Sequence, residues 1–305
     1  MSDKHYDALP KAHTTYANIV KSLLPIGNSD KVSREQLPQA TYYVDELHID
    51  QSNLEDYRQI CGFADNGKVP ITYFSVLSQT LQMNMMVKEP FPFAMLGLVH
   101  VDNSVTQYRP IGERETVAMA VKFDNLRDHA QGQQFDFVTT VKANDEVIWE
   151  GTSTYLSRSK KPASSKNKKS TPRPVTVKPL VNEEGVHSIF EVPEDIGRRY
   201  AFVSGDFNLI HLHPLSARAF GFPKAIAHGM WSKAKCLALM DELPDACTVD
   251  VSFKLPIFLP AEVELIAEPV AQLTSPADTC EFGLFSAKND KPHLAGVIKL
   301  QGENQ

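Results

Sequence analysis

The chain has 305 residues, 42% hydrophobic and 22% charged, with a formal net charge of −6. That length exceeds one typical domain of about 100–200 residues, so two domains are the expectation. No apolar run approaches the ~20 residues a membrane-spanning helix needs, and an acidic balance argues against nucleic acid as a general partner. The start, MSDKHYDALPKAHTTY, lacks the basic-then-apolar layout of a secretory signal. Cys61, Cys236, Cys247 and Cys280 show neither CxxC spacing nor dense pairing, and read as buried, reduced thiols of a cytoplasmic protein.

Residues 1–35 are weakly patterned, with a short helix over Tyr16–Leu24. Thr41–Val44 reads as a strand, and Asp50-Gln-Ser-Asn53 offers capping side chains for a helix reaching about Cys61. A second helix over Thr72–Val87 places Phe74, Leu77, Leu81 and Met85 on one face. The period then changes to two. Strands are expected over Leu98–Arg109, Glu115–Phe123, Gln134–Ala143 and Glu146–Leu156, separated by Gly112, the Asn125–Gly132 stretch and Ala143-Asn-Asp145.

Residues 157–174 carry seven Lys or Arg and neither an acid nor a large apolar side chain. Such a segment cannot bury enough surface to offset its ordering entropy. It sets the expectation of a basic linker over 158–178 between a repeat over 1–157 and a second over 179–305.

Past the linker the same order returns. His187–Val192 reads as a strand, and Pro193-Glu-Asp195 opens a helix with acids in its first turn. After a Ser-Gly-Asp turn, a further helix starts at about His228, and strands follow over Thr248–Ile257, Glu262–Pro269, Thr279–Lys288 and His293–Gln301. Each half thus reads helix, helix, four strands, and Tyr108-Arg-Pro-Ile111 echoes Lys254-Leu-Pro-Ile257. This is an internal duplication. The helix from Gly229 is apolar nearly all round, with Ser232, Lys233 and Lys235 as a thin solvated strip, so an antiparallel sheet wrapped around it would bury it. The fold class is α+β, with two such units pairing side by side.

The chemistry concentrates in Ser204-Gly-Asp-Phe-Asn-Leu-Ile-His211 and Ile226-Ala-His-Gly-Met230. Gly205 permits a sharp turn that leaves Asp206 at a helix end. A carboxylate and an imidazole five residues apart can share one cleft and move protons near neutral pH. The first-turn amides of the following helix, Gly229 included, can hold a carbonyl oxygen as charge develops on it. Taken singly, Asp206 as a turn cap and His211 as a structural histidine are the bland alternatives, and a metal site from Asp206, His211, His213 and His228 is a further one.

Tyr200-Ala-Phe-Val-Ser-Gly-Asp-Phe-Asn-Leu-Ile-His211, then Ala217, Gly221-Phe222 and Ile226-Ala-His-Gly-Met230, resemble the MaoC-like, R-specific enoyl-CoA hydratase family of hot-dog proteins. The match spans about Val192–Leu259, and the whole chain is similar to the double hot-dog members. The resemblance implies reversible syn hydration of trans-2-enoyl thioesters, run as dehydration of (R)-3-hydroxyacyl thioesters in reverse. It places the catalytic pair on Asp206 and His211, the thioester-carbonyl amide on Gly229 and a supporting role on Asn208. Ser204, Phe222, Ile226, His228 and Met230 are expected against the substrate. Coenzyme A or acyl carrier protein would carry the acyl group, with no metal or other cofactor, and Arg198, Arg199, Arg218 and Lys224 are candidate phosphate contacts. The N-terminal half, with Cys61-Gly-Phe-Ala-Asp-Asn-Gly67 and Pro70-Ile-Thr-Tyr73 at the matching place, is implied to be non-catalytic, leaving room for a long acyl tail, and His100 reads as a strand residue. Two departures stand out: Leu209 where the family usually has proline, and His213 where it commonly has an acid. A hot-dog thioesterase and a non-catalytic acyl-binding subunit are the alternative readings; association into a homodimer stays open.

Overall fold

The structure is a computed structural model that describes residues 3–10, 36–95, 97–158, 178, 184–240 and 242–302. The expected helix over Tyr16–Leu24 and nearly all of the expected linker lie outside these residues.

The first repeat comprises β1 (Lys4–Tyr6), β2 (Thr41–His48), α1 (Gln51–Cys61), α2 (Tyr73–Lys88), β3 (Leu98–Gln107), β4 (Thr116–His129), β5 (Gly132–Ala143) and β6 (Glu146–Arg158). The second comprises β7 (Val186–Val192), α3 (Ile196–Ser204), α4 (Leu209–Leu212), α5 (Pro214–Ala219), α6 (Gly229–Ala238), β8 (Cys247–Phe253), β9 (Ala261–Ala267), β10 (Thr279–Ser286) and β11 (Pro292–Leu300). All strands join one sheet in the order β1-β2-β4-β5-β6-β3-β8-β11-β10-β9-β7. Leaving β1 aside, the order reads the same from either end, as a duplication about the central β3–β8 pair requires.

That seam is antiparallel, from Asp102 opposite Ser252 to Gln107 opposite Cys247. Its side chains pair as well: Ser104 donates to Asp250 (2.6 Å), Ser252 donates to Asp102 (2.5 Å), and Thr106 meets Thr248 (2.8 Å). Cross-strand hydrogen bonds of this kind fix register where two sheets become one.

Local sequence explains the helices that the sheet encloses. Asp50 caps α1 by accepting from the amides of Ser52 and Asn53, and Gly62, at φ 90°, ends it in the left-handed conformation that glycine adopts without strain. Helix α2 buries Tyr73, Phe74, Leu81 and Met85 completely, each worth about 1.5–3 kcal/mol. Trp149 Nε1 donates to the Ile71 carbonyl just before it (2.8 Å). The two helical layers also touch across the repeats, through Asn53 Nδ2 to Val203 O and Trp231 Nε1 to Ile60 O, both 3.0 Å. All four cysteines are free and buried. Among the described residues no helix is long and apolar enough to cross a membrane.

Three expectations are corrected here. Only Ala130 and Gln131 of the Asn125–Gly132 stretch form the turn: β4 runs on to His129 through a bulge between Asp124 and Arg127. Buried Asp136 pins that bulge by accepting from Asn125 and Arg127. Strand β8 stops at Phe253, so Leu255 is exposed although Ile257 is buried. The acids before α3 precede the helix, with Asp195 at its N-cap position and no side-chain cap bond.

Candidate active site

Helix α3 ends at Gly205, whose φ of 73° turns the chain sharply. Ser204 Oγ donates back to the Tyr200 carbonyl (2.8 Å) and accepts from the Asp206 amide (3.2 Å). The Asp206 carboxylate accepts from the Asn208 amide (3.1 Å), and Asn208 in turn caps α4 through the Ile210 amide (3.4 Å). Each side chain therefore braces the next step of the turn that delivers His211.

His211 is held from two sides. Its Nδ1 lies 2.8 Å from the Ile226 carbonyl, and since a carbonyl only accepts, Nδ1 carries the proton and Nε2 keeps its lone pair. Behind it, Gly197 of α3 sits so close that a Cβ there would stand 2.0 Å from the His211 carbonyl oxygen. His228 stacks on His211 with ring centroids 3.6 Å apart. Its Nε2 donates to the Asp206 carbonyl (3.0 Å) and lies 3.9 Å from the Asp206 carboxylate. Burial pushes both imidazoles below the usual histidine value, for His228 with His211 adding to it, while the Asp206 charge opposes the shift in each. Two neutral rings beside one carboxylate result.

Gly229 opens α6 directly after His228. First-turn amides have no intrahelical acceptor and lie at the positive end of the dipole. A Cβ at Gly229 would press to 3.0 Å from the Phe253 ring, so glycine keeps this approach open. Asp206, Asn208, His211, Phe222, Ile226, His228, Gly229 and Met230 all line one cavity of about 650 Å³. Ser204 does not: it is buried behind the turn and holds it. Of the candidate phosphate contacts, Arg198, Arg199, Arg218 and Lys224 are exposed and outside the cavity wall, whereas Lys254 lines it.

Asp206, His211 and His228 bring ligand atoms within 4.8 Å of one another. The imidazole planes are stacked at 25°, so their in-plane lone pairs run side by side instead of converging on one ion. His213 stands apart, exposed, with Nδ1 accepting from the Leu215 amide as the cap of α5; it is no part of a metal set.

The first repeat repeats the frame without the groups. The hydrogen bond from Val69 N to Ile111 O matches that from Ala227 N to Ile257 O. This register puts Pro70 where His228 stands, and Phe63 follows Gly62 where Asp206 follows Gly205. Seven positions separate Gly62 from Val69, against twenty-two from Gly205 to Ala227; the segment carrying His211 has no counterpart. The first repeat instead lends α2 to the cavity lining, through Gln82, Met83 and Met86.

Sequence reasoning missed Lys233 and underrated His100. Lys233, read as a solvated helix residue, is completely buried. Its ammonium donates to Asn103 Oδ1 (2.7 Å), Asn103 O (3.3 Å) and Val249 O (2.9 Å), tying α6 to both strands of the seam. Burial pushes it down to about 7. His100 is a strand residue, as expected, but also lines the cavity. Nothing in a single sequence marks either one; a bulge between His100 and Asp102 breaks the alternation that would have shown which face His100 takes.

Two helix-wrapping antiparallel repeats fused through one sheet, with an acid–base cluster at a single cavity, define a double hot-dog protein of the acyl-thioester class. Residues 158–274 match the family described as MaoC like domain. The chain is 38% identical over 232 residues to 3-hydroxyacyl-thioester dehydratase X of Mycobacterium tuberculosis, covering 76% of this chain and 81% of that protein. It is 36% identical over 89 residues to the (R)-specific enoyl-CoA hydratase of Aeromonas caviae, covering 25% of this chain and 66% of that protein. The crystal structure of HtdX of Mycobacterium tuberculosis superposes with a TM-score of 0.71 at 32% identity, over 86% of this chain and 100% of that one. The chain belongs to the MaoC-like family.

Proposed function

We propose that the chain is a hydro-lyase catalysing reversible hydration of trans-2-enoyl thioesters to (R)-3-hydroxyacyl thioesters. The observation that carries this is the meeting of the Asp206 carboxylate, the free Nε2 of neutral His211 and the Gly229 amide on one cavity wall. In hydration, water adds its oxygen to C3 and gives up a proton to the unprotonated Asp206–His211 pair, which hands a proton on to C2. As the C–O bond forms, negative charge gathers on the thioester oxygen and meets the Gly229 amide, and protonation of C2 discharges it. Both groups face one cavity, which supports syn addition. Asn208 and Ser204 act as positioning residues, and His228 holds Asp206 and His211 in register.

Hydration adds a hydroxyl and a proton without net electron transfer, so no redox cofactor is required, and we take no metal to be needed; coenzyme A or acyl carrier protein carries the substrate. We take residues 1–157 as a non-catalytic repeat, 158–178 as the linker and 179–305 as the catalytic repeat. A cytoplasmic enzyme, complete in one chain or further paired as a homodimer, fits this reading. The test is loss of enoyl-thioester absorbance with crotonyl-CoA alongside a thiol trap. Hydration with (R)-3-hydroxyacyl product and no thiol release supports the proposal; thiol release without hydration would replace it with a thioesterase.

A further inference from the structure

Lys233 is completely buried in α6, one helical turn after Gly229, so the two share the helix face that meets the seam. Gly229 lies against the Phe253 ring at the end of β8, and Lys233 Nζ donates to Val249 O in the same strand (2.9 Å). Its shortest bond, 2.7 Å, goes to Asn103 Oδ1 on β3 of the other repeat. Asn103 Nδ2 donates in turn to Ser153 Oγ (3.2 Å), which holds the amide with its oxygen toward Nζ. Burying an ammonium is costly, and apolar side chains of similar volume often serve stability as well or better. What directed hydrogen bonds add to packing is a fixed position for the helix that carries them.

The duplication shows that joining the sheets does not require this lysine. The reciprocal bonds from Ser104 to Asp250 and from Ser252 to Asp102 equate Asp102-Asn-Ser104 with Asp250-Val-Ser252, so Val251 stands where Asn103 does. The matched bonds of Val69 and Ala227 put Ser75 of α2 where α6 has Lys233, six positions further on in each case. Ser75 Oγ is buried with no hydrogen-bond partner. Donor and acceptor therefore occur together at the helix that opens with Gly229, and both are missing at its counterpart, where no acid–base group stands. A part needed only for the seam would serve either helix alike.

We propose that Lys233, anchored by Asn103 of the first repeat, is a positioning residue that sets where the Gly229 amide meets the thioester carbonyl oxygen. The inference rests on the hydratase reading of the site. One turn of helix is a stiff link of about 6 Å, so a slip at Nζ passes directly to the first-turn amides. Asp250 and Cys247 on β8 and His100 on β3 are the titratable groups that interact with Lys233, and burial outweighs them to bring it down to about 7. A neutral amine keeps two donors for the two shorter bonds, so the tether holds through neutrality.

The test compares the full-length wild type with Lys233→Met, which nearly conserves volume, and Asn103→Leu, which removes the anchor. The first readout is the infrared carbonyl band of bound butyryl-CoA, isotope-labelled at the carbonyl carbon. An amide aimed at the oxygen polarises the bond, so the band should move to lower wavenumber on the wild type and move less on both variants. The second is crotonyl-CoA hydration, where kcat should fall about tenfold or more in each variant, with KM nearly unchanged and melting still cooperative. The double variant should lose no more than the worse single. Butyryl-CoA has no double bond to hydrate, so a Lys233-dependent band shift without hydration would sink the hydratase reading and leave the positioning of Gly229 standing. An equal band shift in wild type and Lys233→Met, or a kcat loss that comes only with a collapsed melting transition, overturns the inference.

Discussion

Gly197 offers a direct probe of how the fold aims His211. An alanine Cβ there would stand 2.0 Å from the His211 carbonyl oxygen and 3.0 Å from its carbonyl carbon. An ordinary contact needs about 3.5 Å, so α3 and α4 must separate by roughly 1.5 Å. The 2.8 Å bond from Nδ1 to the Ile226 carbonyl would stretch past the useful limit of about 3.2 Å if the ring moved with its backbone. Misplacement of a reacting group by about 1 Å costs on the order of hundredfold in rate. Stability should change less: overpacking costs about 1–3 kcal/mol, and alanine in a helix returns about 0.5–1 kcal/mol over glycine. Gly197→Ala should therefore lower kcat for crotonyl-CoA hydration about hundredfold, with a smaller change in KM and a cooperative unfolding transition. Wild-type kcat in this variant would refute the argument that α3 sets the position of His211.

The rate should respond to pH through His211. With its neutral form working and its value held below 6.5 by burial, kcat/KM should stay level through neutrality and fall only as pH drops below that value; an acid limb at or above 6.5 would contradict this. Lys233 titrates at about 7 in the fold against 10.5 ordinarily, so between those values the unfolded chain binds more protons and stability rises with pH. Chemical denaturation across that window should show the rise in the wild type and a flatter course in Lys233→Met, which nearly conserves volume. Leu209→Pro should be tolerated and stabilise by about 0.4–1 kcal/mol. Position 209 opens α4, and Asn208 before it already holds φ −58°, ψ 125°, the backbone a following proline prefers; loss of turnover in this variant would show that the Leu209 amide is needed.

What the sequence made legible follows from periodicity and local chemistry. The alternation of Val249 and Val251 required a strand, and Asp50 marked the start of α1. The order Asp206, His211, His228-Gly229 led to one cavity because short-range turns govern most of that geometry. Longer-range facts were hidden. No residue of β3 or β8 announces that the two sheets fuse there, since pairing depends on shape far along the chain. Lys233 looks solvated until α6 is placed beneath both strands whose carbonyls it meets. Leu255 fits an apolar alternation yet is exposed, because β8 ends two residues earlier. Lys4–Tyr6 lacked any strand signal and pairs in parallel with Tyr42–Val44. Gly197 carries no pattern at all; its need arises only where α3 crosses α4.

The central claim is that Asp206 and His211 act as one unit on an enoyl thioester. The measurement that addresses it most directly is crotonyl-CoA hydration by the wild type, Asp206→Asn, His211→Ala and the double variant, with melting curves for each. Each single change should cost about 10²–10⁴ in rate, and the double should cost little more than the worse single, as groups sharing one step are not additive. All four proteins should melt cooperatively. Near-wild-type turnover in either single variant, or two small losses that simply multiply, would contradict the account.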